Sequence, residues 1–251
     1  MYAAGLTATG LVRDHNEDAI FYTTRPIGPL PNLFIVADGM GGHNAGEVAS
    51  AKSLEFSCGF VRSAPCINSA NPEDIADLLV AATLAANKDV FEYSVSDPAF
   101  DGMGTTFTAC SILDNMLAVA HVGDSRIYTI GDSHITQITT DHTFVEEMIQ
   151  AGKILPDQAK THPKRNIITR VLGCEPLISA DGAVHDLNGI NSVLVCSDGL
   201  TEMLPDDTIM KLVSLNAPAK DRAQALINAA NKEGGKDNIS AIIIDVKGET
   251  I

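Results

Sequence analysis

Apolar positions along the chain fall into short blocks separated by polar, turn-forming residues. The runs at 33–37, 105–113, 116–122, 125–130, 134–138 and 192–197 are too short for ordinary helices, and their composition predicts strands. Strand-like stretches also cover 2–9, 19–24 and 178–187. The segment 46–64 is helical in character, and the helix after it is well signalled: Asn71 is placed to cap it, Pro72 suits its first turn, and Glu73 and Asp74 complement its dipole. Ile75, Leu78, Leu79, Ala82 and Ala86 then follow the helical period. Close spacing of the four strands from 105 to 138 predicts an antiparallel meander with tight turns such as Asp114-Asn115. Helical pattern returns in "TFVEEMIQAG" (143–152) and in two helices opening at Pro205 and near Pro218, the second closed by Gly234-Gly235. The last strand, "NISAIIIDV" (238–246), is apolar on both faces and therefore central. Strands in runs and helices in pairs predict an α+β layered sandwich rather than an alternating parallel sheet. No linker rich in Pro, Gly or Ser divides the chain, so residues 1–251 read as a single domain.

Charge narrows the function. Seventeen basic against 32 acidic residues give a net charge of −15, which repels phosphate backbones and argues against nucleic-acid binding. The same excess points to acids balanced by bound cations. The five cysteines (Cys58, Cys66, Cys110, Cys174, Cys196) form no CxxC pair and are odd in number, a usage that suits a reducing cytoplasm. No apolar run reaches the ~20 residues that span a bilayer, so no membrane segment is expected. The longest candidate, "ADLLVAATLAA", carries Asp77 between Glu73 and Asp89 and reads as a buried helix.

Acidic residues recur at strand ends. Asp38 and Asp198 each end an apolar run, Asp124 follows the strand 116–122, and Asp237 directly precedes the last strand. "RDHNEDA" (13–19) packs Asp14, Glu17 and Asp18 into one turn. Asp-Gly is also a common turn dipeptide, and Asp101-Gly102 and Asp181-Gly182, in polar or broken contexts, read as turns only. If Asp38, Asp124, Asp198, Asp237 and Glu17 or Asp18 converge, their charges demand protons or a cation. Oxygen-only donors favour Mg²⁺ or Mn²⁺, and no His/Cys spacing matches zinc. Beside Asp38, the carbonyl of Gly39 is unshielded by a Cβ and can itself reach a metal. A nucleotide loop fits poorly: the Rossmann spacing fails at Asn44, and no Walker Gly-Lys-Ser/Thr occurs.

The segments "GLVRDHNEDA", "VADGMGGHNAGEVAS", "GMGTTFTA", "AHVGDSRIY", "TTDHTFVEEMIQAGKI", "TRVLG", "VLVCSDGLTEML" and "GGKDNISAIII", in this order from Gly10 to Ile244, resemble the metal-dependent (PPM, type 2C) protein serine/threonine phosphatases, above all the compact bacterial members. The resemblance implies a four-layer α-β-β-α sandwich of two antiparallel sheets with a two-metal Mn²⁺ or Mg²⁺ centre between them. Asp38 would bridge both ions, Asp198 and Asp237 would complete the first set, the Gly39 carbonyl would bind the second ion, and Glu17 and Asp18 would hold its waters. A possible third ion would sit at Asp124, shared with Asp198, and Arg13 would grip the substrate phosphate. Two such metals, ~3.5–4 Å apart, ionise a bridging water for in-line attack, with no phospho-enzyme. His43 is the candidate proton donor to the leaving oxygen. The segment 141–175 matches the family's flap, substrates would be proteins phosphorylated on Ser or Thr, and a cognate serine/threonine kinase would be a partner.

Other positions carry weaker signals. Lys164 and Arg165 stand together in an acidic protein, as a solvated turn or as an attractor for phosphopeptides. His121 reads as a core histidine, His15 and His142 as surface or site-supporting groups, and His162 and His185 carry no signal. Ser240 stands where threonine is common in the family. The alternative function is a catalytically weak phosphoprotein-binding module of the same fold; a phosphodiesterase is disfavoured by the charge. Dependence of turnover on the metal separates these readings.

Overall fold

The computed structural model describes residues 1–41, 45–65 and 71–246. One antiparallel sheet has the spatial order β1 (Tyr2–Ala8), β11 (Ile239–Asp245), β10 (Ile190–Cys196), β7 (Arg126–Gly131), β8 (Ile135–Gln137). The other runs β2 (Asp18–Thr23), β3 (Leu33–Met40), β5 (Phe107–Leu113), β6 (Met116–Val122), β9 (Asp181–Asp186), with β4 (Gly104–Thr105) paired to the end of β3.

Side-chain parity explains why these sheets stack. On β3, Leu33, Ile35 and Ala37 pack with helices α1 (Ala45–Ser63) and α2 (Pro72–Ser94), whereas Phe34 and Val36 face the other sheet. On β11, Ile239, Ala241 and Ile243 pack with α6 (Asp206–Val213) and α7 (Ala219–Lys232), whereas Ile242 and Ile244 meet Phe34 and Val36 in the inter-sheet cluster. Three apolar layers thus hold four structural layers together, the α-β-β-α sandwich expected. The central place of β11 between β1 and β10, buried along its whole length, also matches its two apolar faces.

Local signals act as read. The Asn71 side chain accepts the Glu73 N–H with Pro72 in the first turn of α2, and Pro205 and Pro218 immediately precede α6 and α7. Gly235 returns its N–H to the Ala230 carbonyl to close α7. Asp114, at φ 52°, takes the left-handed conformation in the β5–β6 turn.

Two readings need correction. β3 does not stop at Ala37: Gly39 and Met40 pair with Thr105 and Gly104 of β4, so Asp38 lies inside a strand. Asp181-Gly182 is no turn, since both residues belong to β9 opposite His121 and Ala120; β9 is a polar edge strand and shows no apolar alternation. Of the two readings of His142, a surface or a site-supporting group, its burial favours the second. The segment 141–175 carries α3 (Phe144–Gln150) and α4 (Pro156–Ala159), and its ends meet where Phe144 N–H bonds the Ile167 carbonyl and Thr169 N–H the His142 carbonyl. Among the described residues no helix is long and apolar enough to cross a membrane.

Candidate functional site

Strand register brings the acids together. Asp18 and Asp38 are direct partners across β2 and β3. By parity both lie on the inter-sheet side, two residues from Ile20 and Val36. From the other sheet, Asp198 opens the short helix α5 (Asp198–Thr201) just after β10, and Asp237 stands just before β11. Arg13, Glu17, Asp38, Gly39, Asp198 and Asp237 line one cleft of about 350 Å³, with Asn166 and Ile168 of the 141–175 segment at its side. Asp124, in the β6–β7 loop, lines an adjoining cavity of about 260 Å³ that shares Asp198, Asn166 and Ile168 with the cleft. Asp18 is buried next to the cleft. His43 lies outside the described residues.

Crowding and burial shape the electrostatics. Burial pushes the Asp18 carboxyl up to about 7 against the pull of two hydroxyl donors, with Asp198 and Asp237 adding repulsion. Asp38 and Asp124 are raised well above the carboxylate range, by burial first and then by neighbouring aspartates. Asp198 is raised to about 6, by burial and then by the charge of Asp237. Burial also raises Glu17, which Arg13 opposes. Asp237 accepts the Asn238 N–H on Oδ1 at 2.8 Å and the Arg13 guanidinium on Oδ2 at 2.7 Å.

These groups fit a hard divalent cation. The Oδ1 atoms of Asp18, Asp124 and Asp198 are buried without a protein partner. Ionised carboxylates only accept, so such orphaned oxygens call for protons or a cation, and an all-oxygen donor set suits Mg²⁺ or Mn²⁺. Among the described residues no three acidic, His or Cys side chains already surround one point as ligands would. Asp237 turns to Arg13 instead. Gly39 is required sterically: a Cβ there would lie 2.1 Å from the Gly46 carbonyl oxygen and 2.5 Å from that of Glu17. Glu17 is held by its main chain, whose carbonyl accepts the Gly39 N–H (3.1 Å) and the Ser50 hydroxyl (2.6 Å). Its carboxylate meets the Gly46 N–H at the positive end of α1.

Several supporting residues were not singled out by sequence pattern. Asn238 accepts the Glu17 N–H and donates to the carbonyls of Thr9 and His15, tying the β1–β2 loop to β11. Thr106 accepts the Asp38 N–H at 2.9 Å. Ser197 and Ser240 both donate to Asp18. The available signal was position: Ser197 and Asn238 adjoin Asp198 and Asp237, and Ser240 shares strand parity with Ile242 and Ile244.

The histidines and the basic pair resolve differently. His121 is a core residue, bonded to Thr108 and to the Thr140 carbonyl, and burial lowers it to about 4. His142 Nδ1 accepts the Gly123 N–H at 3.0 Å, so Nε2 carries the proton and donates to Asp181 at 3.1 Å. The Gly123 contact anchors the loop bearing Asp124. The Lys164 ammonium sits 5.0 Å from the Phe144 ring centroid, whereas Arg165 lines the cavity beside Asp124 and Asp198.

Known proteins resemble this chain in sequence and in fold. The family described as Protein phosphatase 2C matches residues 12–243. The serine/threonine phosphatase stp of Listeria monocytogenes serotype 4b is 34% identical over 246 residues, spanning 98% of this chain and 96% of that protein. The crystal structure of the serine/threonine phosphatase Stp1 from Staphylococcus aureus superimposes with a TM-score of 0.89 at 35% identity, covering 98% of this chain and 95% of that one. The catalytic domain of the serine/threonine protein phosphatase PstP, solved in complex with two manganese ions, gives 0.81 at 32% identity and 97% coverage of both chains.

Proposed function

The chain belongs to the protein phosphatase 2C family, and on that premise we propose that it removes phosphoryl groups from serine and threonine side chains of proteins, using two divalent cations held at the cleft between its sheets. One observation supports the site assignment: Asp18, Asp124 and Asp198, each with a buried, partnerless carboxylate oxygen, surround Asp38 beside a cleft that also presents an arginine. Asp38, Asp198, Asp237 and the Gly39 carbonyl would hold the ions, Glu17 and Asp18 their waters, and Asp124 with Asp198 a third. Bound Mn²⁺ or Mg²⁺ supplies Lewis acidity and lowers the pKa of water at the phosphorus.

The chain's own groups do the rest. Arg13 spends one guanidinium nitrogen on Asp237, which aims the fork and leaves its other N–H donors for phosphate oxygens. Burial of the carboxylates excludes water and strengthens each electrostatic contact. The leaving serine or threonine oxygen needs a proton, assigned to His43. Asn166 and Ile168 line the cleft, so the 141–175 flap would meet a phosphoresidue there, and Arg165 would add positive charge beside it. On this reading residues 1–251 form one catalytic unit acting in the cytoplasm, opposing a cognate serine/threonine kinase.

The test is hydrolysis of a phosphothreonine peptide with Mn²⁺, comparing the wild-type chain with Asp198→Asn. The expected outcome is metal-dependent turnover abolished by chelator, and a loss on the order of 10²-fold or more in the variant. A folded wild type that binds the phosphopeptide without turning it over would favour a binding module. Equal activity in both proteins would mean that the site is misplaced.

A further inference from the structure

The two oxygens of the Asp18 carboxylate stand in different surroundings. Oδ2 accepts two hydroxyls, from Ser240 at 2.6 Å and Ser197 at 2.8 Å, while Oδ1 is buried and has no protein partner. Both serines come from the opposite sheet. Ser197 follows β10 in the parity of Val193 and Val195, and Ser240 lies on β11 in the parity of Ile242 and Ile244, the residues that fill the inter-sheet layer. The two bonds therefore cross between the sheets at the end that carries the acids.

Donor and acceptor requirements fix the direction of this network. The Ser197 oxygen receives the Ser240 N–H at 3.0 Å, so its own proton is available for Asp18. The Ser240 oxygen lies 2.8 Å from the Thr7 hydroxyl, and that hydroxyl receives the Asn16 amide at 2.8 Å. An ionised carboxylate can only accept, so Ser240 gives its proton to Asp18 and Thr7 gives its proton to Ser240. Two relays then end on one oxygen: Asn16 to Thr7 to Ser240 to Asp18, and the Ser240 main chain to Ser197 to Asp18. Both deliver donors to the same atom.

We propose that Ser197 and Ser240 are positioning residues that saturate Asp18 Oδ2 and fix the carboxylate's rotation, leaving Oδ1 as its one face for a divalent cation or a cation's water. The inference rests on the metal reading above and adds to it the residues that orient one ligand. It also accounts for a hydroxyl at 240, which either serine or threonine supplies. Charge-assisted bonds to a carboxylate are the strong kind, and loss of an outer partner of a metal-site carboxylate lowers metal affinity on the order of 10- to 100-fold.

The experiment is calorimetric titration of the whole chain with Mn²⁺ alone, after chelator treatment, with folding checked by circular dichroism. Ser197→Ala and Ser240→Ala are each expected to weaken the binding event that involves Asp18 by roughly tenfold or more. Ser240→Thr keeps the hydroxyl and is expected to bind within about threefold of wild type, a conservative rescue that lost volume would not produce. In an Asp18→Asn background the alanine substitutions should add little further loss, because they act through that carboxylate. Should either alanine variant fold poorly, the corresponding Ser→Cys change, isosteric but a weak donor, carries the same expectation. Folded alanine variants with wild-type affinity would overturn the proposal, as would equal losses with and without Asp18. A wild type that binds no Mn²⁺ would overturn the metal reading and this inference with it, whereas normal wild-type binding with indifferent serines would overturn this inference alone.

Discussion

Replacing Arg13 with alanine should separate catalysis from stability. The Arg13–Asp237 pair is 2.7 Å long, but the two side chains are 52% and 33% exposed. A pair so open to solvent contributes at most about 0.5 kcal/mol to folding after screening. On the proposed assignment its catalytic part is larger, because the fork would meet a dianionic phosphate in a cleft of buried carboxylates. Charged hydrogen bonds of this kind are worth about 1.5–3 kcal/mol. At 1.36 kcal/mol per factor of ten that is roughly a 10- to 150-fold loss in kcat/KM. The assay is steady-state hydrolysis of a phosphothreonine peptide at saturating Mn²⁺, with inhibition by inorganic phosphate as a second readout and the urea midpoint as control. Arg13→Lys should recover part of the loss, since a point charge replaces attraction but not the two-pronged geometry. An Arg13→Ala enzyme within twofold of wild type on kcat/KM would refute the assignment. A collapse of the urea midpoint would refute the claim that the pair is only orienting.

Two further outcomes follow from buried charge. Asp18 and Asp198 titrate in the folded chain at about 7 and about 6, above their ordinary 3.8, so the folded state binds more protons than the unfolded one in that range. In chelator their contribution to stability is therefore complete below about pH 4 and is lost as the pH rises through 6 to 7; the urea midpoint should be higher near pH 5 than near pH 8, and excess Mn²⁺ should flatten that trend. A chelated midpoint that climbs steadily across the range would contradict this. At the opposite ends of β10 and β11, Arg222 donates to Asp245, whose other oxygen takes the Ser192 hydroxyl. Arg222→Met strands that buried carboxylate and should cost about 3–5 kcal/mol, seen as a fall of roughly 10 °C in Tm, with kcat/KM of the folded protein unchanged.

Much of this architecture is legible in the linear pattern because its causes are local. Two-sided apolar runs such as Ile239–Asp245 have to be central strands, and Asn71-Pro72 has to open a helix, whatever else the chain does. The acids at strand ends are visible for the same reason, since a carboxylate after an apolar run marks where a strand leaves its core. Asp38 lies inside β3 rather than at its tip because the short strand Gly104–Thr105 pairs with Gly39 and Met40 from far along the chain. Asp181 takes its meaning from His142 and Arg170, which are distant in sequence, so the dipeptide alone reads as a turn.

The sequence by itself determined the layered α+β class, the acidic ligand candidates, their oxygen-only chemistry and, through ordered motifs, the family. Tertiary structure alone decided which oxygens of those acids are spoken for and which are free. Asp18 and Asp38 meet only through register, Arg13 finds Asp237 across the whole chain, and Ser197 and Ser240 reach Asp18 only because two sheets pack face to face. Hydrogen-bond satisfaction is a property of groups brought together in space, and burial sets its strength. Neither can be read from a residue's neighbours along the backbone.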